Sequence, residues 1–374
     1  MQYYLTLTSE CNLRCKYCYE KCCNDFGAGI QFPNIDYSVP SSAKYDIVDL
    51  ERFLARDPEA SVIFYGGEPL LRIGLLEKIM RTVPAKKFIL QTNGMLLHRL
   101  DSEYLNKLDT ILVSIDGDRE LTNYYRGKGV YEQVVKNLRQ LRDEGFVGEM
   151  IARMTVGGET KIDRAVRSLI FNEDLFDSIH WQLDALFWHN DYDKDGFARW
   201  AKAQYIPEVR NLIELWVRHM RDHREVLRIY PFVGIMRSLL LNEPSKLRCG
   251  AGWTMFNIQT DGNITPCPVM AGMKDFYLGN IEHTDPRDLT SRAVFASEPC
   301  TDCAVYSICG GRCLYANVTK LWGEEGFRLV CSTVEDLIDA LRSTVATIQR
   351  FVSEGTVLLG DFDYPRYNSC EIIP

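Results

Sequence analysis

Residues 9–20 read Ser-Glu-Cys-Asn-Leu-Arg-Cys-Lys-Tyr-Cys-Tyr-Glu, which puts Cys11, Cys15 and Cys18 at CxxxCxxC spacing. The run before them, Tyr3–Thr8, is aromatic and β-branched and reads as a strand. The cysteines therefore sit on the loop that leaves the end of the first strand. Three close thiolates can hold three corners of a 4Fe–4S cube, and because such clusters usually take four cysteines, one iron is left open to a small molecule. Zinc or free thiols are the alternatives. Zinc prefers closed tetrahedral ligation from Cys and His pairs, and this stretch contains no His.

Strand-like and helix-like segments alternate behind that loop. Strands are predicted at Tyr3–Thr8, Val62–Tyr65, Lys87–Gln91, Thr110–Ser114, Met150–Val156 and Ile179–Leu183. Helices are predicted at Ile47–Ala55, with Val48, Phe53 and Leu54 apolar, and at Val130–Glu144, with Val134, Leu138 and Leu141 on one face. Roughly residues 24–44 read as loop. Six β/α units predict an α/β fold with a parallel sheet, a partial (β/α)6 TIM-like barrel, with chemistry at the C-terminal strand ends. Polar and glycine-rich stretches stand there in succession: Gly66-Gly67-Glu68-Pro69, then Gln91-Thr92-Asn93-Gly94, then Ser114-Ile115-Asp116-Gly117, with Arg126 beyond. Each alone reads as a turn or a helix cap. Their recurrence favours one shared site, in which Gly-Gly lets backbone approach a ligand and Glu68 offers a carboxylate to an ammonium group.

The cysteine triplet, with Tyr17 before its third cysteine, resembles the signature of the radical SAM superfamily. YGGEP at 65–69, QTNG at 91–94 and SIDG at 114–117 resemble stretches of the anaerobic sulfatase maturases and other peptide-modifying members. The resemblance implies S-adenosylmethionine as cofactor, contacted by Tyr17, Gly66, Gly67, Glu68, Ser114, Asp116 and Arg126. It also implies a peptide or small-protein substrate and an electron donor such as flavodoxin or ferredoxin.

A second set of cysteines follows. Gly262 and Cys267 form a GxxxxC unit after Cys249. Cys300, Cys303, Cys309 and Cys313 are spaced CxxCxxxxxCxxxC, and Cys331 closes the set. No His stands among them at ligand spacing, which suits iron–sulfur clusters better than His-containing fingers, with paired zinc ribbons as the alternative. The arrangement resembles the SPASM domain of peptide-modifying radical SAM enzymes. That resemblance gives Cys300, Cys303, Cys309 and Cys331 to a distal cluster and Cys249, Cys267 and Cys313 to a proximal one, three 4Fe–4S clusters in all. Cys22, Cys23 and Cys370 stay unassigned, and the proximal set is one ligand short. The tail's Cys370, Cys22 or Cys23, a water or a substrate thiol are candidates for that position. The expected domains are 1–235, the radical SAM barrel; 236–335, the auxiliary iron–sulfur module; and 336–374, a helix and tail. Sulfatase maturases place a catalytic Asp directly after the cysteine that matches Cys267. Here Pro268 stands there and can take no proton, which argues against formylglycine formation. No catalytic acid or base is assigned. The first cysteine comes by residue 11, so a leader peptide is expected to be held without a preceding peptide-binding domain.

Composition narrows the remaining classes. The 374 residues are 46% hydrophobic with a net charge of −8, which argues against a general nucleic-acid binder. No signal peptide or membrane-spanning run is recognised, so thirteen cysteines point to metal in a reducing cytoplasm rather than to disulfides. Asp191–Gly196 imitates the start of an EF-hand loop, but the twelfth position is Lys202 rather than Glu, so a solvated acidic loop near the substrate entrance is expected. Trp181 is expected in the core, with Trp188 and His189 nearby. Ile206, Val209, Ile213, Trp216 and Met220 form one apolar helix stripe. A non-catalytic iron–sulfur electron carrier is the alternative class, but it would need neither Gly-Gly-Glu nor an open iron.

Overall fold

The computed structural model describes residues 1–18, 34–172, 174–184, 194–320, 322–366 and 371–374. Cys22, Cys23, Cys370, Trp188, His189 and residues 191–193 of the acidic 191–196 loop lie outside them. The described chain forms two compact units that interleave in sequence. One comprises 1–115, 122–151 and 250–295, and the other 116–121, 152–249 and 296–374.

The first unit is built on strands β1 (Gln2–Thr8), β2 (Ser61–Gly66), β3 (Lys87–Thr92) and β4 (Leu108–Ser114), paired in parallel in that order. Their near-continuous apolar runs follow from burial on both faces: Tyr3, Leu5, Val62, Ile63, Phe64, Ile111 and Leu112 are all fully buried. Helices α1 (Ile47–Leu54), α2 (Ile73–Thr82) and α3 (Ser102–Leu105) connect the strands. In α1 the buried face is Ile47, Leu50, Phe53 and Leu54, whereas Val48, expected on the apolar side, is 56% exposed. After β4 the chain runs through α4 (Arg119–Arg126), which begins in the second unit and ends in the first, and then α5 (Val130–Asp143). The predicted stripe Val134, Leu138 and Leu141 of α5 is buried.

Residues 250–295 were expected to open the auxiliary module, but they extend this sheet. Here β7 (Met255–Ile258) pairs in parallel with β1, and β8 (Asn263–Thr265) and β9 (Gly279–Asn280) add antiparallel strands. The physical reason is the edge of β1, whose unpaired backbone groups need a partner. Thr6 Oγ1 fixes the pairing by donating to Asn257 Oδ1 at 2.8 Å.

Strand β5 (Glu149–Val156) starts in the first unit and finishes in the second, where β6 (Ser178–Leu183) is its neighbour in the sheet order. The six expected β/α units are thus present in order, completed by α6 (Ile162–Arg167) after β5 and α7 (Lys194–Trp200) after β6. The rest of the second unit is helical. It contains α8 (Ile206–His223), α9 (Tyr230–Leu241), α10 (Tyr306–Cys309), α11 (Leu314–Thr319) and α12 (Gly323–Ser353), and α12 packs on both α8 and α9. Trp181 is fully buried, donates to Tyr205 Oη at 3.0 Å and meets Phe232 edge-on at 5.6 Å. His180 is also fully buried. Arg153 can only donate, so Nδ1 of His180 accepts from Arg153 Nη1 at 2.6 Å, and Nε2 donates to the Ile372 carbonyl at 2.9 Å. This ties the C-terminal tail to β6.

Candidate functional site

The end of β2 is seated directly on the chain that leads to the first cysteine. Gly66 has φ +142°, and a Cβ there would lie 2.1 Å from the Thr8 carbonyl oxygen. A Cβ on Gly67 would lie 2.4 Å from the Glu10 carbonyl oxygen. Only glycine fits either position. The close approach lets Gly67 N donate to Thr8 O at 2.8 Å and Glu68 N to Glu10 O at 2.9 Å. The glycine pair therefore moulds the root of the cysteine loop, and its backbone stays half-exposed.

Glu68 carries the carboxylate expected to meet an ammonium group. It is fully buried. Oε1 accepts from Leu70 N at 3.0 Å and from Thr92 Oγ1 at 2.8 Å, while Oε2 accepts from Asn93 N at 2.8 Å. Burial pushes its carboxyl up to about 7, against the pull of those hydrogen bonds. In this structure the side chain is a bracket that locks the end of β2 to the end of β3.

Asn93 carries that bracket onward. Its Nδ2 donates to Asn12 Oδ1 at 2.8 Å and lies 3.8 Å from Cys11 Sγ, which also accepts from Leu13 N at 3.4 Å. Asn137 of α5 holds the same turn by donating to the Gly94 carbonyl at 2.7 Å. Sequence reading placed QTNG at a strand end, but it did not single out Thr92, Asn93 or Asn137. The signal available was a run of side-chain amides and hydroxyls beside a buried carboxylate.

On the other side of the loop, Lys16 N donates to the Tyr125 carbonyl at 2.9 Å. The Tyr17 ring lies 5.2 Å from that of Tyr125, and the guanidinium of Arg126, itself 6% exposed, stands 5.4 Å from the Tyr17 ring centre. Two of the predicted cofactor residues, Tyr17 and Arg126, therefore meet directly. Ser114, at the end of β4, is half-buried. In the second unit, Asp116 is fully buried and accepts from Thr155 N at 3.1 Å. Cys11 is exposed, and Cys15 and Cys18 are half-buried. Sulfur that receives N–H donors on a loop left open to a ligand fits an iron–sulfur cluster with one exchangeable corner.

The later cysteines sit in different surroundings. Cys300, Cys303, Cys309, Cys313 and Cys331 all line one cavity of about 310 Å³ in the second unit, walled by Val305, Trp322, Phe327 and Val330. Cys249 also lies in the second unit and Cys267 in the first. Cys300 and Cys309 are each under 10% exposed. Burial raises the thiols of Cys300 and Cys309 and pushes Cys331 up to about 12. Uncompensated thiolates would be costly there, so their ionised form needs a positive partner. Asn317 Nδ2 donates to Cys300 Sγ at 3.4 Å, and the backbone N–H groups of Gly311 and Arg312 donate to Cys309. Among the described residues, no three His, Cys, Asp or Glu side chains gather tightly enough for a single metal ion. A roomy cavity ringed by thiols that accept N–H donors suits the larger span of a cluster.

Comparison with known proteins agrees with this geometry. Residues 5–169 match the family model described as the Radical SAM superfamily. The cysteine-type anaerobic sulfatase-maturating enzyme of Clostridium perfringens strain 13 is 23% identical over 89% of this chain and 93% of its own length. Among solved structures, native anSMEcpe with bound AdoMet superposes with a TM-score of 0.69 at 17% identity, covering 94% of this chain and 99% of that one. Streptococcus suis SuiB bound to precursor peptide SuiA gives 0.53 at 17% identity, covering 85% and 72%. No helix among the described residues is long and apolar enough to cross a membrane. Residues 5–169 therefore match the Radical SAM superfamily, a likeness that supports an enzyme working with S-adenosylmethionine and a 4Fe–4S cluster.

Proposed function

We propose that this enzyme modifies a residue of a peptide or small protein by hydrogen abstraction and carries auxiliary iron–sulfur clusters in its second cysteine set. The carrying observation is that the likeness to the sulfatase-maturating enzyme runs through 89% of the chain, well beyond residues 5–169 of the Radical SAM match. The peptide seen with SuiB supports the same substrate class. S-adenosylmethionine bound at the reduced cluster supplies a 5′-deoxyadenosyl radical. The protein's own part is to hold and orient. Cys11, Cys15 and Cys18 ligate the cluster. Tyr17, Arg126 and Ser114 flank the cofactor, together with Asp116 and the Gly66-Gly67 backbone, and Glu68 keeps that backbone in place. The electron comes from a flavodoxin or ferredoxin in a reducing cytoplasm.

A second reading, formylglycine formation, is favoured by the names of the curated relatives. Pro268 after Cys267 opposes it, since proline offers no side-chain base. Anaerobic incubation of the reconstituted enzyme with reductant, S-adenosylmethionine and candidate peptides tests both readings. Release of 5′-deoxyadenosine, with deuterium passing into it from a labelled peptide, is the expected result. A sulfatase peptide should yield no aldehyde by mass spectrometry. Cofactor cleavage without hydrogen transfer from any peptide would overturn the main reading, and an aldehyde product would favour the second.

A further inference from the structure

Three arginines of the second unit stand at or near the thiol-lined cavity, Arg312 and Arg328 on its wall and Arg248 behind it, and they are used differently. Arg248 is spent on the fold. Nε donates to Ile308 O at 2.8 Å, Nη1 to Gly234 O at 3.0 Å and Nη2 to Ser238 Oγ at 2.6 Å. Arg312 lines the cavity, and its Nε is buried with no hydrogen-bond partner. No carboxylate among the described residues pairs with it. Buried donors are almost always satisfied, so an orphaned one marks the place of a group the protein is built to receive.

The backbone at Arg312 adds a second observation. Its φ is +46°, the left-handed region that side-chain-bearing residues rarely adopt. The strain places its N–H on Cys309 while its side chain stays on the wall among Cys300, Cys303, Cys309, Cys313 and Cys331. The other charged groups on that wall are Arg328 and Glu335, both exposed, with Cys303 Sγ lying 3.9 Å from Glu335 Oε1. Among the described residues, Arg312 is thus the cation on the wall that has a buried nitrogen and no counter-charge.

We propose that Arg312 is the counter-charge of the auxiliary cluster in this cavity and holds its reduction potential upward. A cluster ligated by thiolates is anionic, and reduction adds a further negative charge. A fixed guanidinium at the cavity wall therefore stabilises the reduced form more than the oxidised form. Arg312 acts through charge and is a positioning residue, distinct from the thiols that ligate iron. The proposal rests on the auxiliary-cluster reading above.

The test is an anaerobic redox titration followed by electron paramagnetic resonance, with iron and sulfide counts. It uses full-length reconstituted protein in which Cys11, Cys15 and Cys18 are Ala, so that only auxiliary signals remain. Arg312→Gln should keep its iron and show an auxiliary midpoint shifted to more negative potential. Arg312→Lys should stay near the parent, and Arg328→Gln should shift far less than Arg312→Gln. Full iron content in Arg312→Gln with an unmoved midpoint would overturn the proposal. If Arg312→Gln loses iron, restoration of both iron and midpoint by Arg312→Lys supports the charge role. Loss in Arg312→Lys as well would overturn it, because shape rather than charge would then be required. A parent protein with no auxiliary iron would instead sink the cluster reading itself, before any variant is compared.

Discussion

The two cysteine regions solve opposite problems. The first triplet lies on an open loop, with Cys11 exposed and its root held by backbone bonds to Thr8, Glu10 and Tyr125. Five thiols of the second unit line a partly open cavity with a largely apolar wall, and burial raises the thiols of Cys300, Cys309 and Cys331. A cluster that must exchange a ligand needs access, and its polar supports come from β-strand ends. On the proposed reading the second set holds clusters that exchange electrons rather than ligands, and an apolar wall suits that use. The polar bracket and the apolar wall are two ways of holding similar chemistry for different ends.

The largest expected effect divides the regions outright. Replacing Cys11, Cys15 and Cys18 with Ala should abolish release of 5′-deoxyadenosine. Cys331→Ala should remove about four irons while leaving reductant-driven cofactor cleavage. Chromatography of the nucleoside beside iron analysis reads both, and cleavage that survives the triple change would break the comparison at its root.

A smaller effect tests the polar bracket. Glu68→Gln sets an amide N–H₂ among the donors Leu70 N, Asn93 N and Thr92 Oγ1. The cost should be ~2–3 kcal/mol, since hydrogen bonds to a buried charged group are lost. Denaturant unfolding under anaerobic conditions measures it, and stability equal to the parent would mean that the bracket carries no weight.

The smallest effect concerns the second unit. Burial, together with Arg153, holds His180 well below its ordinary value, so it stays neutral in the folded protein. The unfolded chain takes up that proton as pH falls through about 6.5. Stability from this group is therefore complete above that pH and is lost below it. Thermal unfolding of His180→Gln should begin at a lower temperature at pH 7.5 but fall less steeply toward pH 5.8. A parallel decline in the two proteins would remove His180 as the cause.

Much of this was legible in the chain. The six predicted strands lie within two residues of their expected bounds, and in β1–β4 the signal is the near-continuous apolar run of a parallel strand buried on both faces. Predicted helix 206–220 appears as Ile206–His223, with Val209, Ile213, Trp216 and Met220 buried as expected. Glu68 was visible as a residue, but its burial was not. Spacing shows that a carboxylate stands at a strand end, whereas only tertiary packing shows which donors enclose it. The final helix was expected within 336–374 and begins at Gly323, because Gly323 and Gly326 weaken the helical signal of its first turn. The place of 250–295 on the edge of β1 was equally hidden, since strand pairing between residues so far apart leaves no local pattern.

That early start of α12 puts Cys331 inside a 31-residue helix, a rod about 46 Å long at the usual rise per residue. The other cavity thiols come from the short segments of 300–313. If the cavity takes a cluster as proposed, iron would staple the short elements of 300–313 to a rigid rod, and metal supply would then be a step in maturation of the polypeptide. A nascent copy that fails to receive iron should present residues 300–313 to proteases, and limited digestion before and after loading would display this as protection gained.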